Sequence, residues 1–244
     1  NAMTVLNTIM ADTLKKFKRD VDGLIEKGEK KEIAIMHTIR EYIVASEKIL
    51  FEGDGYSDEW EKEAERRGLA NVKTTPLALD AMVTEKAKEL FHSNHVYSHV
   101  ELEARHEIEL EKYIKKVQIE SRLMAELTTS HILPAAIRYQ NLLIDNIRGL
   151  KDVGLADTAC AQRTAMLNKI SKHINGASQL ADEMIEARKT ANKIGDTRAT
   201  AIAYCDDVKE KYFDDLRYHV DKLEQLVDDK EWYLPKYREL VFLR

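Results

Sequence analysis

The sequence predicts an all-α protein, and three observations support this fold class. Glycine and proline, which supply most tight turns, are scarce, at 9 and 3 residues of 244. No stretch alternates strictly between apolar and polar residues between turn signals, as a strand would. Long segments instead carry apolar residues at three- and four-residue steps. We therefore expect an elongated antiparallel helical bundle with one long Pro-kinked helix, a small helical insert and no sheet.

The composition excludes several classes of function. Basic and acidic residues number 38 and 43, giving a net charge of -5 without a basic block, so no nucleic-acid partner is expected. No apolar run approaches the roughly 18 residues that span a bilayer, and no signal-peptide pattern opens the chain. The sequence thus indicates a soluble, cytoplasmic protein without a membrane partner. Cys160 and Cys205 fall on apolar helix positions, which predicts reduced core residues.

The pattern divides the chain into four parts. Residues 1–3 resemble a scar left by tag removal. Residues 4–53 form an N-terminal helix pair, residues 54–97 a short-helix insert, and residues 98–244 a long-helix bundle with a tail. Because a helix begins at about Thr4 without a leader, we expect a fragment of a longer chain that lacks its catalytic core.

The N-terminal pair consists of two amphipathic helices separated by "EKGEKKE". The first shows the three- and four-residue spacing of one buried face. A short connection predicts that the second lies antiparallel to it. The apolar positions are Leu6, Ile9, Met10, Leu14, Phe17, Val21 and Leu24 in the first helix, and Ile33, Met36, Ile39, Ile43, Val44, Ile49 and Leu50 in the second.

The insert has the signals of two or three short helices. Ser57 is a candidate N-cap, Gly68 a stop, and Pro76 stands in the first turn of a new helix that starts at Thr75. Such short helices are unstable alone and must dock on something. We expect Trp60 and "NVKTTP" to hold this lobe against the bundle or against the missing core.

A very long helix follows the insert. Ser98 and Glu101 form a capping box at its start, and the apolar pattern continues to Gly149. Pro134 interrupts the pattern, because its ring crowds the carbonyl of Ser130 and one hydrogen bond is lost. The neighbouring hydroxyls of Thr128, Thr129 and Ser130 can supply alternative partners. We expect a kink here, with a complete break as the alternative.

Two further long helices complete the bundle. Asp157 is a candidate N-cap for the first of them, Gly195 and Asp196 mark the turn, and Pro235 is placed to start a short terminal helix. Both long helices show a coiled-coil-like seam. The seam residues are Ile170, Ile174, Ala177, Ala181 and Met184, followed by Phe213, Leu216, Val220, Leu223 and Val227.

One cluster could bind a metal. Glu89 with His92, and Glu103 with His106, form two E-x-x-H pairs of the kind found in di-iron helical bundles. Such a site needs two more buried glutamates, and none is evident, so solvated or capping histidines are the favoured interpretation. No serine or cysteine nucleophile has a recognisable context. The residues alone therefore describe a helical bundle without a visible active site.

Four segments resemble the C-terminal helical region of type III glutamine synthetases, the large bacterial class of that enzyme. They are "TVLNTIMADTLKKFKRDVD", "GDGYSDEWEKEAERRGLANVKTTPLAL", "SHILPAAIRYQNLL" and "WYLPKYRELVF", in this order along the chain. The resemblance implies a parent enzyme that joins ammonia to glutamate with ATP and a divalent metal, Mg or Mn, in a double-ringed oligomer. The family's active-site motifs lie upstream, so it implies no catalytic, cofactor-binding or metal residue here.

The expected partners are the catalytic core of the same polypeptide and neighbouring subunits of the ring. Helices that cover a missing core should expose apolar patches and promote self-association of the isolated chain. Two alternatives remain at the level of the sequence. One is a free-standing helical interaction module, and the other is a metal-dependent bundle that uses the two E-x-x-H pairs.

Overall fold

The structure, a computed structural model, describes residues 2–242 and contains helices and turns but no strand within that range. The all-α prediction is therefore confirmed. The helices are α1 (Ala2–Glu26), α2 (Lys31–Ala45), α3 (Asp58–Arg66), α4 (Thr75–Leu79), α5 (Glu85–Ser93), α6 (His99–Leu127), α7 (Leu133–Asp152), α8 (Asp157–Ala191), α9 (Thr197–Ala203), α10 (Glu210–Leu226) and α11 (Tyr237–Val241). The chain forms two compact units, one that runs to Glu109 and one that begins at Leu110.

The core of the second unit lies where α8 packs against α7 and α10. Ala177 and Ala181 are fully buried on α8, and their small side chains let the neighbouring helix approach closely. Leu216 and Leu223 fill the facing positions of α10 and are equally buried. The two predicted seams are thus confirmed as the core of this unit.

Two π-helical turns interrupt the long helices, at Thr128–Ile132 and at Tyr204–Lys209. In the first, Leu133 donates its backbone N–H to Thr128, five residues back, and the hydroxyl of Thr128 donates to the Met124 carbonyl at 2.7 Å. Pro134 then stands in the first turn of α7, where a missing N–H is harmless. The helix continues through the proline, so a complete break is wrong, and the π turn is a known source of helix bending.

Helix ends follow most of the predicted signals. Ser98 and Glu101 form the reciprocal capping box, with Ser98 N donating to Glu101 Oε2 at 2.9 Å and Glu101 N to Ser98 Oγ at 3.3 Å. Asp196 accepts from the backbone N–H of Ala199 at 2.7 Å and caps α9. These short-range signals were readable because a cap depends only on residues within one turn.

Two predicted helix starts were wrong by one or two residues. Ala156 is the N-cap of α8, and Asp157 is the first helical residue, where its carboxylate lies 3.0 Å from the Lys151 ammonium instead. The terminal helix α11 starts at Tyr237 after Lys236, so Pro235 precedes it rather than starting it. Cys160 and Cys205 are buried and free, as predicted.

Candidate docking surface

The first unit begins with the antiparallel pair α1 and α2, which pack through small side chains. Ala34 and Thr38 are fully buried on α2, and Val21 is buried on α1. The ring of Tyr42 meets Phe17 edge-on at 5.7 Å, and its hydroxyl donates to Asp20 Oδ2 at 3.1 Å. These contacts fix which face of each helix is turned inward.

Outside these contacts, large aliphatic side chains of both helices remain exposed. On α1 they form the α1 stripe, which consists of Leu6 (58% exposed), Met10 (58%) and Leu14 (61%). On α2 they form the α2 stripe, which consists of Ile33 (48% exposed), Met36 (64%), Ile39 (38%) and Ile43 (57%). The predicted burial is therefore wrong for the residues of the two stripes, whereas Val21 is buried as predicted and the predicted exposure of apolar patches is confirmed.

The physical reason lies in the number of partners that each helix has. The α1–α2 contact is made by Ala34, Thr38, Val21 and the Phe17–Tyr42 pair. Helix α1 also packs against α5, at whose C-terminal end Asn94 donates to Asp12 Oδ1 at 3.1 Å. Neither contact uses the aliphatic stripes. Contiguous exposed apolar surface of this kind on a folded protein marks an interaction site.

The insert docks on the residues that follow α2. Trp60 stacks on Phe51 with ring centroids 4.2 Å apart, and the guanidinium of Arg67 lies over the Trp60 ring at 5.5 Å. Arg67 also donates to the carbonyls of Leu50 and Lys48, at 2.7 and 3.3 Å. Trp60 thus anchors the lobe to the end of the N-terminal pair, whereas its docking against the long-helix bundle or the missing core stays a prediction.

The helix signals within the insert are also present. Ser57 accepts from the backbone N–H of Trp60 at 3.2 Å, and α3 stops before Gly68, which has a φ of 72°. Pro76 is buried in the first turn of α4. Glu63 lies between two cations, and the adjacent Arg66 and Arg67 lower its pKa to about 2. The cap at Ser57, the buried Pro76 and the ion pairs of Glu63 therefore stabilise the insert itself.

The four candidate metal ligands do not come together. The Glu103 carboxylate forms an ion pair with the Lys88 ammonium at 2.8 Å, and His106 Nε2 lies 3.4 Å from Asp80 Oδ1. His92 is exposed, with its ring 5.0 Å from that of His99. Within residues 2–242, no group of three or more His, Cys, Asp or Glu side chains could hold a metal ion. No helix in the same range is long and apolar enough to cross a bilayer.

A histidine pair in the second unit was not identified from the sequence. His173 on α8 and His219 on α10 place their Nδ1 atoms 3.1 Å apart. Gly176 makes room for this contact, since a Cβ there would lie 2.3 Å from the His219 ring. The available signal was the position of His173, three residues after the seam residue Ile170 and three before Gly176. Spacing along one helix does not show which residue of another helix a side chain contacts.

Comparison with known proteins identifies relatives along the entire chain. Residues 34–151 match the family described as the glutamine synthetase C-terminal domain. A glutamine synthetase of Bacteroides fragilis (strain YCH46) is 41% identical over 246 residues, which covers 100% of this chain and 34% of the relative. A type-3 glutamine synthetase of Dictyostelium discoideum is 30% identical over 242 residues, covering 98% of this chain and 33% of the relative. The chain therefore spans about a third of the length of these curated relatives.

Proposed function

The chain belongs to the glutamine synthetase family, as its C-terminal domain, and we propose from this that it is a non-catalytic helical scaffold of a type III enzyme. In this proposal the parent protein ligates ammonia to glutamate at the expense of ATP in the cytoplasm. ATP and its divalent ion, Mg or Mn, bind to the part of the parent that lies outside this chain. The resemblance places the family's active-site motifs upstream of this chain, so the proposal assigns no chemical step to its residues.

The observation that carries the proposal is the exposed α1 stripe. Its three side chains follow one another at four-residue steps along a single helix face and are each more than half exposed. The family match begins at residue 34, within α2, so α1 lies just before the segment that defines the C-terminal domain. We infer that the α1 stripe docks on the remainder of the parent polypeptide and helps to position this domain in the ring oligomer.

The proposal predicts that charges placed in the α1 stripe of the full-length parent protein loosen its assembly. Leu6→Glu with Met10→Glu should shift the particle toward smaller species, because each buried carboxylate is costly to desolvate. Size-exclusion chromatography with light scattering measures the distribution. The matched control, Asn7→Glu with Ala11→Glu, adds the same charge to exposed positions one residue further along the helix.

Two readouts separate assembly from chemistry. The specific activity of the particles that remain assembled should be unchanged, since no reacting group is altered. The same double substitution in the present chain should leave its helicity and Tm unchanged, because both side chains are exposed there. A full-size, fully stable parent particle carrying Leu6→Glu and Met10→Glu would refute docking through the α1 stripe.

A further inference from the structure

The α2 stripe is a second, separate apolar surface with an ordered arrangement of charge. Ile33, Met36, Ile39 and Ile43 are all exposed, while α1 packs on the opposite face through Ala34 and Thr38. Glu32 and Arg40 flank the stripe and are also exposed. Neither of these two charged side chains has an ion-pair partner among the described residues.

The residues around Met36 are arranged symmetrically. Glu32 precedes Met36 by four residues and Arg40 follows it by four, so the three side chains form one ridge along the helix surface. Ile33 and Ile39 stand three residues before and after the same centre. A rotation of the helix by 180° about an axis through Met36, perpendicular to the helix, exchanges the positions of Ile33 and Ile39. The same rotation exchanges the positions of Glu32 and Arg40.

This pattern is complementary to a reversed copy of itself. Helices commonly pack with their i, i+4 ridges aligned, and a two-fold axis brings the same patch of both subunits together. We propose that α2 pairs with α2 of a second copy of this chain, antiparallel about a two-fold axis at Met36. Glu32 of each copy then lies beside Arg40 of the other. The inference deepens the proposed assembly role and rests on it.

The charges set the orientation of the pair, and the aliphatic residues supply its contact area. A parallel pair would place Glu32 beside Glu32 and Arg40 beside Arg40, and like charges in contact strongly disfavour a partner. Four half-exposed aliphatic side chains and their two charged neighbours would bury about 1,000 Å² over both copies, near the lower limit for a specific interface. The contact is therefore suited to one of several interfaces in an assembly.

A cysteine at the proposed axis provides a direct test on the present chain. Met36→Cys should form a disulfide with its own copy under mild oxidation, because residues on a two-fold axis approach each other within disulfide range. The matched control is Glu65→Cys, an exposed position on α3. Both native cysteines are 1% exposed and do not compete. We expect Met36→Cys to cross-link about tenfold faster than the control, as a contact at the axis requires.

Charge reversal tests the register. Arg40→Glu or Glu32→Arg alone should slow the Met36→Cys cross-link about fivefold, and the two together should restore it, because the double exchange rebuilds both ion pairs. All three positions are exposed, so folding, followed by circular dichroism, should be unaffected. Equal rates for Met36→Cys and Glu65→Cys, or no recovery in the double reversal, would overturn the pairing. These outcomes are read on this chain alone, whereas the α1 stripe is tested in the full-length parent.

Discussion

At the scale of single residues, the contact between His173 and His219 is the most informative. With Nδ1 atoms 3.1 Å apart, one ring must donate and the other accept, so the two Nδ1 atoms cannot both be protonated in this geometry. Burial lowers the pKa of both histidines below 6.5, and the charges of His219, Lys172 and Lys222 lower that of His173 further. For His219, Lys172 acts in the same direction and Asp215 opposes it.

We predict that this pair makes the stability of the chain fall at acidic pH. Because the pKa of each folded histidine is depressed, the unfolded state binds more protons below its own pKa of about 6.5. The contribution is fully present above that pH and is lost as the pH falls through the lower folded pKa. The slope can reach about 1.4 kcal/mol per pH unit for each proton taken up. Urea unfolding between pH 7.5 and 5 measures it.

The control is His219→Gln, which removes one titrating ring and keeps a polar side chain. Its unfolding free energy should vary less with pH than that of the wild type over the same range. A wild-type curve that is flat between pH 7.5 and 5, or one that the substitution leaves unchanged, would contradict the assignment. Gly176 contributes to the same feature, since any larger residue would push the His219 ring away.

At the scale of elements, the π turn at Tyr204–Lys209 contains one more residue than an α-helical turn needs. Removal of the exposed Asp206 should convert the π turn into regular α-helix. The buried faces of the flanking helices α9 and α10 should keep their present directions. We predict that this deletion costs less than about 2 kcal/mol and leaves unfolding cooperative. Thermal unfolding followed by circular dichroism provides the measurement.

The comparison is a deletion of Glu183, an exposed residue within the regular helix α8. That change rotates everything beyond it by about 100° relative to the preceding face. Met184 and Ala191, both buried, would turn away from the core. We expect a broad, weakly cooperative transition for this variant. Equal losses for the two deletions would show that the π turn does not absorb a residue.

The sequence revealed elements whose signals are local or which have a partner in this chain. The seams through Ala177 and Leu223 were readable because each helix faces another helix with the same period. The inward face of α2 could not be read from the sequence, because Ala34 and Thr38 give a weak hydrophobic signal. The stronger signal comes from the α2 stripe, which remains exposed among residues 2–242. The π turn at Tyr204–Lys209 also escaped, because no proline marks it.

At the scale of the whole molecule, apolar burial is distributed unevenly between the two units. The buried apolar side chains named for the first unit are Val21, Ala34, Ala64, Phe91 and Leu102. The second unit has a continuous core through α7, α8 and α10. Local stability follows buried apolar contacts, so the first unit should open more easily than the second.

We predict that amide hydrogens in α1 and α2 exchange at least about 100-fold faster than those at the centres of α8 and α10. Hydrogen exchange read by mass spectrometry on the present chain tests this directly. Protection of α2 should rise with protein concentration if the second copy covers it. Uniform protection across both units would show instead that the chain unfolds as a single cooperative body.

The two exposed stripes also determine how this chain behaves in storage and purification. Association through aliphatic surface is driven by the entropy of water near room temperature and weakens on cooling, so cold, dilute solutions should favour single molecules. Ammonium sulfate should promote aggregation through both stripes, because sulfate is excluded from protein surfaces. Sodium chloride should act differently on α2, where it screens Glu32 from Arg40 of the second copy. The choice of salt would therefore separate the apolar and ionic parts of the contact.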